Sequence, residues 1–398
     1  HLAFKYTTKF AILINVKSLF LIFHGRFPSE KAASLFAAKS AEAFAQEGLR
    51  VILLVPRRFS RLRQDPYQYY HVKQNFEIVF LPTLDLLFLP VFKKFFFSLG
   101  FLFFSLSSAL YLKFKAGKQD VIYSNESLPL WCASFFFKNT FYEMHDFPES
   151  KQSLFGIFLK RMRFVLVHNQ WKMNRLREVF KIDSSRIMYE PNAVDVDEFD
   201  SAVNKDEARR NLALPLDKKI AMYTGHLYGW KGVDTLAQAA TKLPRECLVV
   251  FVGGTEKDIE SFKGKYGNDS RVLIAGHKKH SEIPLWQKAA DVLVLPNTAK
   301  ENISKYYTSP MKLFEYMASK RPIVATDIPS VREILNDTNA IIIPPDDSEA
   351  MAKGIMEALQ NNNKVEKITR KAYSDVGLHT WKERAKRILG FMEKEKGV

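Results

Sequence analysis

The stretch that decides the fold is SPMKLFEYMA at residues 309–318, which lies between VLVLP at 292–296 and PIVAT at 322–326. The two flanking segments are short and apolar, which predicts buried strands. Apolar residues recur every three to four positions in the central segment, which predicts a helix. A serine followed by a proline predicts how this helix begins, with Ser309 as the N-cap and Pro310 as the first helical residue. The unit is therefore a strand, a long loop, a helix and a strand.

Glu315 is the polar exception in this predicted helix, because it stands between Phe314 and Tyr316. One interpretation is a solvent-facing carboxylate on an amphipathic helix. The other is a carboxylate that accepts hydrogen bonds from sugar or ribose hydroxyls. In a parallel sheet the helix N-terminus lies at the carboxyl ends of the strands, where ligands bind. Its free amides and positive dipole end suit a phosphate group.

The composition indicates a globular protein with two domains. The chain has 398 residues, of which 47% are hydrophobic and 26% are charged, and this length exceeds what one hydrophobic core usually supports. Cys132 and Cys247 lie far apart and have no metal-binding or redox spacing, so we expect a reducing cytoplasm and no disulfide framework. Residues 10–16 are apolar, but the segment is short and no small-residue cleavage site follows, so no signal peptide is predicted. Residues 1–17 have no predicted role.

The net charge of +16 at pH 7 indicates an anionic partner. Residues 50–118 hold eleven Lys or Arg against three Asp or Glu, and the same region contains the uncharged apolar run 95–112. A basic segment beside an apolar one favours an anionic membrane surface over nucleic acid. The run 95–112 has the length of a marginal membrane span. A helix buried in its domain and a helix lying partly in a membrane interface are the alternatives.

The first half of the chain has the pattern of a doubly wound α/β domain. Apolar runs predict its strands, at 19–23, 51–55, 120–123, 141–144, 165–167 and 187–189. Gly25 lies in the first loop, where a glycine lets backbone amides approach a phosphate, although one glycine is a weak signal. His145 follows a predicted strand, between Glu143 and Asp146. That is the carboxyl edge of the sheet, where such a domain carries its chemistry.

The second half repeats this pattern after a polar crossing at 192–210. Its predicted strands are at 220–225, 248–252, 272–276, 292–295 and 322–326. We predict one Rossmann-like domain at 1–198 and another at 199–379. We expect the final helix, within 380–398, to pack back on the first domain.

Six stretches carry a resemblance to a known family: YEMHDFP (142–148), PNAVDVDEF (191–199), YTGHLYGWKGVDTL (223–236), FVGG (251–254), AADVLVLPN (289–297) and SPMKLFEYMASKRPIVATDIPSVREIL (309–335). Together they resemble the retaining, sugar-nucleotide-dependent glycosyltransferases of family four, which have the GT-B fold. The resemblance implies two facing Rossmann-like domains with a nucleotide-sugar cleft between them.

The resemblance also implies roles for matched residues. Lys231 matches the lysine that binds the donor diphosphate and stabilises the leaving nucleoside diphosphate. Glu315 matches the second glutamate of the Glu-x7-Glu element, which grips the ribose, and His145 matches the histidine that contacts the donor sugar and assists at the reacting centre. The remaining donor-binding candidates are Gly25, Gly225, His226, Ser309, Pro310, Met311 and Lys312.

Two positions depart from the family pattern. The first glutamate of Glu-x7-Glu would fall at Tyr307, so that carboxylate is missing and Glu301 lies off register. The arginine that usually accompanies the lysine falls at His226, which carries less than full charge at neutral pH. The donor sugar therefore stays open.

The expected activity is transfer of a sugar from a UDP- or GDP-sugar to a hydroxyl acceptor, with retention and without metal or cofactor. A glycan or a lipid-linked acceptor is expected, in cell-surface glycan, lipopolysaccharide or glycolipid synthesis. The expected location is the cytoplasm, peripheral on the inner face of the membrane through residues 50–118. Three alternatives stay open: a non-catalytic nucleotide-binding partner with this fold, a sugar-nucleotide epimerase, and a nucleic-acid-binding protein, for which the sequence shows no recognised module.

Overall fold

The computed structural model describes residues 17–59, 62, 64–85, 92–148, 152–200, 203–360 and 362–394. The apolar segment 10–16 and the last four residues of the predicted 380–398 segment lie outside this description. Two parallel sheets organise the described chain, one of seven strands and one of six. This confirms the predicted α/β architecture.

The first sheet has the strand order β3-β2-β1-β4-β5-β6-β7, and every pairing in it is parallel. Its strands are β1 Ser18–Ile22, β2 Arg50–Pro56, β3 Glu77–Leu81, β4 Val121–Ser124, β5 Thr140–Met144, β6 Phe164–Val167 and β7 Ile187–Tyr189. Its helices are α1 Ala32–Gln46, α2 Pro66–Tyr69, α3 Lys93–Lys115, α4 Ser127–Ala133, α5 Gln152–Arg161 and α6 Gln170–Phe180. The carboxyl ends of these strands share one edge of the sheet, which we call the first carboxyl edge.

The second sheet has the order β10-β9-β8-β11-β12-β13 and is also parallel throughout. Its strands are β8 Lys219–Thr224, β9 Cys247–Val252, β10 Val272–Gly276, β11 Val292–Leu295, β12 Ile323–Thr326 and β13 Ile341–Ile343. The helices from the crossing onward are α7 Val196–Phe199, α8 Lys205–Asn211, α9 Val233–Ala240, α10 Glu256–Tyr266, α11 Ile283–Ala289, α12 Met311–Ala318, α13 Pro329–Arg332, α14 Ser348–Leu359, α15 Asn363–Val376 and α16 Trp381–Lys394. The carboxyl ends of its strands form the second carboxyl edge.

Helix α12 begins two residues later than Ser309, and the prediction that this serine caps the helix is wrong. Pro310 is the N-cap, with extended backbone and no side-chain capping bond. Ser309 is instead held by Asn192, whose side-chain amide donates to the Ser309 carbonyl. A partner 117 residues away thus replaces the local contact that the sequence pattern favours.

Helix α16 lies against α1, in the same apolar core as the first sheet. Trp381, Ala385, Ile388, Leu389 and Met392 are buried there beside side chains of α1. The chain therefore returns to the first sheet after completing the second. The exact division at residue 198 stays a prediction.

Helix α3 has one face in the protein and one face exposed. Phe104, Ser105, Ser108 and Leu112 are fully buried, whereas its opposite side exposes large apolar side chains, namely Phe95, Phe97, Leu102, Phe103, Leu106, Leu110 and Phe114. Among the described residues, one helix is long and apolar enough to cross a membrane by length and composition alone, at Lys94–Lys115, and a third of it is buried in the protein.

Candidate functional site

The second carboxyl edge is built around the turn that follows β8. Gly225 has a φ of +130°, and its N–H donates to the Val252 carbonyl of β9 at 2.8 Å. A side chain here would be strained by the backbone conformation, and its Cβ would lie 2.9 Å from the Lys312 Nζ atom. The turn and the first residues of α12 therefore meet around one amine.

Lys312 is a buried amine without a hydrogen-bond acceptor in the described part of the chain. Its Nζ atom lies over the Tyr223 ring, 3.7 Å from the centroid. Burial, and then the charge of Lys231, lower the pKa of Lys312 well below its usual range. A donor left unsatisfied in this way costs free energy, which an anionic ligand would recover.

Lys231 lies beside Lys312 on the loop between β8 and α9. Its Nζ atom is 3.7 Å from the centre of the Trp230 ring, and burial lowers its pKa to about 7. Gly232 follows with a φ of +73°, and a Cβ there would collide with the Pro296 carbonyl oxygen at 1.8 Å. Glycine is therefore required to bring this lysine loop against the end of β11.

His226 completes the basic cluster. Its ring stacks on Tyr228 with 4.9 Å between centroids and 7° between planes. Burial lowers the pKa of His226, and the charges of Lys231 and Lys312 lower it further although Asp258 opposes them. His226, Lys231 and Lys312 thus converge where their charges repel one another, which is the electrostatic environment that an anion stabilises.

Glu315 is 8% exposed, so the solvent-facing interpretation is wrong. It accepts hydrogen bonds from His280 Nε2 at 3.3 Å and from Gln287 Nε2 at 3.4 Å. Burial alone would lower the pKa of His280, but the hydrogen bond to Glu315 and the charges of Glu315 and Glu198 raise it overall. Glu315 is therefore held at the edge by partners that the sequence pattern did not reveal, and its contact with ribose stays a prediction.

His145 lies at the first carboxyl edge, on the loop after β5, as predicted. Its backbone carbonyl accepts a hydrogen bond from the buried Lys172 amine of α6. Its ring contacts Phe36 edge-on at 4.8 Å and His168 at 4.6 Å between centroids. The ring is one quarter exposed. Phe36 and His168 therefore hold one side of it, and the other side remains accessible to a ligand.

Glu143 lies under His145 and has all of its strong partners within the protein. Its Oε1 atom accepts from His168 Nε2 at 2.6 Å and from Arg384 Nη2 at 2.5 Å, and its Oε2 atom accepts from the Tyr123 hydroxyl at 2.5 Å. Burial would raise the pKa of Glu143, but the Arg384 charge, the nearby His145 ring and the hydrogen bond from His168 hold it well below its usual range. Burial lowers the pKa of His168 to about 3, so this ring is neutral and donates from Nε2.

The same residues also have the spacing of metal ligands, because one ligand atom each of Glu143, His145 and His168 lies within 4.8 Å of the others. The Arg384 guanidinium, however, already binds the Glu143 oxygen that faces both histidines. A cation placed there would have to displace a buried arginine. The donor set therefore fits an internal ion pair better than a metal ion.

Tyr307 lies where the family pattern has a carboxylate, at the end of a π-helix spanning Ile303–Tyr307. Its ring contacts Trp171 at 4.6 Å and Phe147 at 6.4 Å between centroids, both from the first sheet's side. Its carbonyl accepts from the Asn169 side chain at 2.8 Å. Tyr307, which replaces the carboxylate of the family pattern, therefore forms a contact between the two halves of the molecule.

The remaining predicted residues divide between the two edges. Met311 packs against the core of the first sheet, and Pro310 is buried, so the start of α12 belongs to the seam between the halves. Gly25 lies at the first carboxyl edge. A Cβ atom added to Gly25 would lie 2.2 Å from the Phe23 ring, so the site has no room for a side chain. Its proposed approach to a phosphate stays a prediction.

Three residues that contact the candidate site residues were missed in the sequence. Arg384, Lys172 and His280 reach the site from helices or turns far along the chain from their partners. A charged residue in a helix is usually a solvated one, so only the tertiary structure distinguishes them.

Comparison with known proteins identifies the architecture. The chain superposes on Anabaena HepE in complex with UDP and glucose with a TM-score of 0.74 at 16% identity, covering 95% of this chain and 99% of that one. Two parallel Rossmann-like sheets with this correspondence define the GT-B fold. Residues 204–375 match the family described as glycosyl transferases group 1. The matched stretch contains the whole second sheet.

Curated relatives match over part of their length. Alpha-D-kanosaminyltransferase of Streptomyces kanamyceticus is 30% identical over 168 residues, 41% of this chain and 42% of that protein. UDP-Gal:alpha-D-GlcNAc-diphosphoundecaprenol alpha-1,3-galactosyltransferase of Escherichia coli is 27% identical over 176 residues, 42% of this chain and 43% of that protein. The chain spans about half the length, or less, of the curated relatives it matches.

Proposed function

We propose that the protein is a glycosyltransferase that moves a sugar from a UDP- or GDP-sugar to a hydroxyl acceptor with retention at the anomeric carbon. One observation carries the proposal: the buried Lys312 amine has no hydrogen-bond acceptor among the described residues and lies beside Lys231. A diphosphate supplies the anionic oxygens that both amines lack. The Gly225 turn leaves no side chain between such a group and the backbone.

In the proposed reaction, the bond between the anomeric carbon and the diphosphate oxygen breaks. The acceptor oxygen bonds to that carbon on the same face, and its proton passes to the leaving diphosphate. Negative charge grows on the leaving group, where Lys231 and Lys312 stabilise it. This route needs no carboxylate nucleophile, metal or cofactor.

His145 and Glu315 position the donor from opposite halves in this proposal. The exposed face of the His145 ring contacts the donor sugar, while Glu143 and Lys172 hold the ring and its backbone from behind. Glu315 accepts from the ribose hydroxyls, which replace or join His280 as donors to its oxygens. The nucleotide then lies along the second carboxyl edge, and the acceptor approaches from the first.

The related proteins support this class of donor and acceptor. The Anabaena protein was solved with UDP and glucose, and the Escherichia coli relative is named for a UDP-sugar donor and a diphosphoundecaprenol-linked acceptor. By extension, we propose a glycan or lipid-linked acceptor and a role in cell-surface glycan synthesis.

The surface around α3 supports a peripheral position on the inner face of a membrane. Phe135 and Phe136 after α4, and Leu154 and Ile157 on α5, are exposed like the outer face of α3. The Lys113 amine lies over the Phe136 ring at 5.5 Å, and the Arg161 guanidinium lies over the Phe135 ring at 4.3 Å. An apolar surface bordered by cations suits an anionic lipid headgroup layer.

Ligand-dependent unfolding tests the donor site. A matching nucleotide at one hundred times its dissociation constant adds about 2.7 kcal/mol to the free energy of unfolding, so UDP, GDP, ADP and their sugars are compared by thermal shift. Lys231→Ala should abolish the shift, whereas Lys263→Ala, an exposed lysine on α10, should leave it intact. No shift with any nucleotide in the wild-type protein would overturn the proposal.

Turnover separates the enzyme from a non-catalytic partner. The nucleotide sugar that gives the thermal shift is used as the donor. Lys231→Ala should then lower kcat by a factor of about 10² to 10³, which is the usual effect of removing one group that stabilises charge in the transition state. Donor binding without transfer or hydrolysis would establish the non-catalytic alternative.

Membrane association is tested by pelleting with phosphatidylglycerol-containing liposomes. Phe95→Ser with Phe103→Ser should reduce the bound fraction, while Leu378→Ser, which is 65% exposed elsewhere, should not. Absence of binding at low salt would remove the membrane proposal and leave the donor site untouched.

A further inference from the structure

A cavity lies at the amino ends of the strands of the second sheet, opposite the second carboxyl edge where the donor site is proposed. Its volume is about 550 Å³, within the range of small-molecule sites. Lys219 begins β8, and Asp291 and Pro322 immediately precede β11 and β12, so the cavity opens at the amino ends of these strands. Helices α14 and α15 form its other walls.

The lining of this cavity carries more positive than negative charge. Two acidic side chains, Asp291 and Glu366, line the cavity together with five cationic ones, namely Lys205, Lys219, Lys320, Arg321 and Arg370. Asp291 is already shared between Lys205 at 2.6 Å and the buried Arg209 at 2.6 Å. Glu366 reaches Arg370 at 3.8 Å, with both side chains more than half exposed. Lys320 is paired with Asp200 at 2.8 Å. Lys219 and Arg321 have no carboxylate partner among the described residues, so the cavity keeps an excess of positive charge.

Arg321 shows the imbalance most directly. One of its terminal nitrogens donates to the Lys288 carbonyl at 2.7 Å, but its Nε atom is buried and has no hydrogen-bond acceptor in the described part of the protein. Burial lowers the pKa of neighbouring Lys288, and the Arg321 charge lowers it further. Arg321 lines the cavity and has no ion pair with a carboxylate among the described residues, so its guanidinium charge is available to an oxyanion in the cavity.

The cavity also has an apolar wall. Ala358 and Leu359 of α14 and Val365 of α15 line it together with the Tyr373 side chain. Mixed apolar and convergent polar lining is typical of sites that hold an organic ligand rather than a bare ion.

We propose that this cavity binds a small phosphorylated anion, with the phosphate at Arg321, Lys219 and Arg370 and the organic part against Leu359 and Val365. This site is independent of the proposed donor site, because it lies at the amino ends of the strands whose carboxyl ends carry Lys231 and Lys312. The proposed phosphate site would bind its ligand whether or not the donor site holds a sugar nucleotide.

Binding of inorganic pyrophosphate to the full chain, measured by calorimetry at 0.15 M salt, tests the site. The donor edge is first removed as a competing anion site by combining Lys231→Ala with Lys312→Met. One pyrophosphate per chain should still bind. Adding Lys219→Glu and Arg370→Glu, both at exposed positions, should weaken it at least tenfold, and Glu366→Gln should tighten it.

Lys219→Glu and Arg370→Glu are also made singly, and Lys263→Glu is the matched control for each, because it makes the same change of two charge units at an exposed position on α10. It should leave the affinity unchanged. Loss of all binding in the donor-edge double variant would overturn the proposal. Equal weakening by Lys263→Glu and by the cavity variants would also overturn it, because the protein would then attract the anion only through its net charge.

Discussion

The two carboxyl edges of this molecule treat their buried charges in opposite ways. At the first edge, Glu143 has hydrogen-bond partners on both oxygens, and the Lys172 amine donates to two backbone carbonyls. At the second edge, the Lys312 amine has no acceptor in the described residues, and Lys231 rests on an aromatic face. The buried charges of Glu143 and Lys172 are therefore paired within the protein, whereas the buried amines of the second edge have no anionic partner among the described residues.

This difference indicates that the first edge holds its side chains in place without a ligand, whereas the second edge is built to bind an anion. The paired Glu143 and Lys172 fix their neighbours before any ligand arrives, and the Lys172 amine holds the His145 carbonyl in this way. Unpaired, desolvated cations cost stability in the free protein and recover it on binding. The two edges should therefore respond with opposite signs when their buried cations are removed.

The largest effect is expected at Arg384. Arg384→Met leaves the Glu143 carboxylate buried without its cation, so the free energy of unfolding should fall by about 3–5 kcal/mol. Urea denaturation measures it. Lys386→Met on the same helix, which removes only a half-exposed pair with Glu383, should change stability by less than about 1 kcal/mol. Similar small effects for both variants would show that the first edge is not a paired scaffold.

Lys312→Met should act in the opposite direction. It replaces an unsatisfied amine by an apolar side chain of similar length, so the free protein should become more stable by about 1–3 kcal/mol. The same variant should bind the nucleotide identified by thermal shift more weakly. Destabilisation of the free protein would mean that Lys312 has a structural partner, and the contrast between the edges would be lost.

Much of the fold follows from local sequence pattern, because most strands are continuous apolar runs buried on both faces. Two strands were missed for a physical reason. β3 is an edge strand with a half-exposed burial pattern, and β13 has only three residues, all isoleucine, so each is an apolar run at the short or weakly buried limit of the pattern. For α3, the sequence left three alternatives open because apolar residues occur on both faces, and only packing shows which face is covered.

The site was predictable only where a residue lies at a strand end or in a family motif. His145, Lys231 and Lys312 lie at the predicted edges. The Arg384–Glu143 pair joins residues 241 positions apart. Asn192 binds Ser309 from 117 positions away, and Ser309 does not cap the helix that follows it. No local pattern contains such contacts.

The pH dependence of nucleotide binding gives the smallest and most specific test of the comparison. Burial lowers the pKa of Lys231 to about 7 in the free protein, and a bound diphosphate favours the charged amine. Binding above that pH must therefore take up a proton, and affinity for a nucleotide sugar should fall by up to tenfold for each pH unit above 7, or about 1.4 kcal/mol. Calorimetry in two buffers of different ionisation enthalpy measures the uptake directly. Lys231→Met should bind more weakly and take up fewer protons than the wild-type protein, because only the buried Lys312 amine then remains to be charged. An affinity in the wild-type protein that stays constant between pH 7 and pH 9 would show that the Lys231 amine is already charged and paired, as the buried charges are at the first edge.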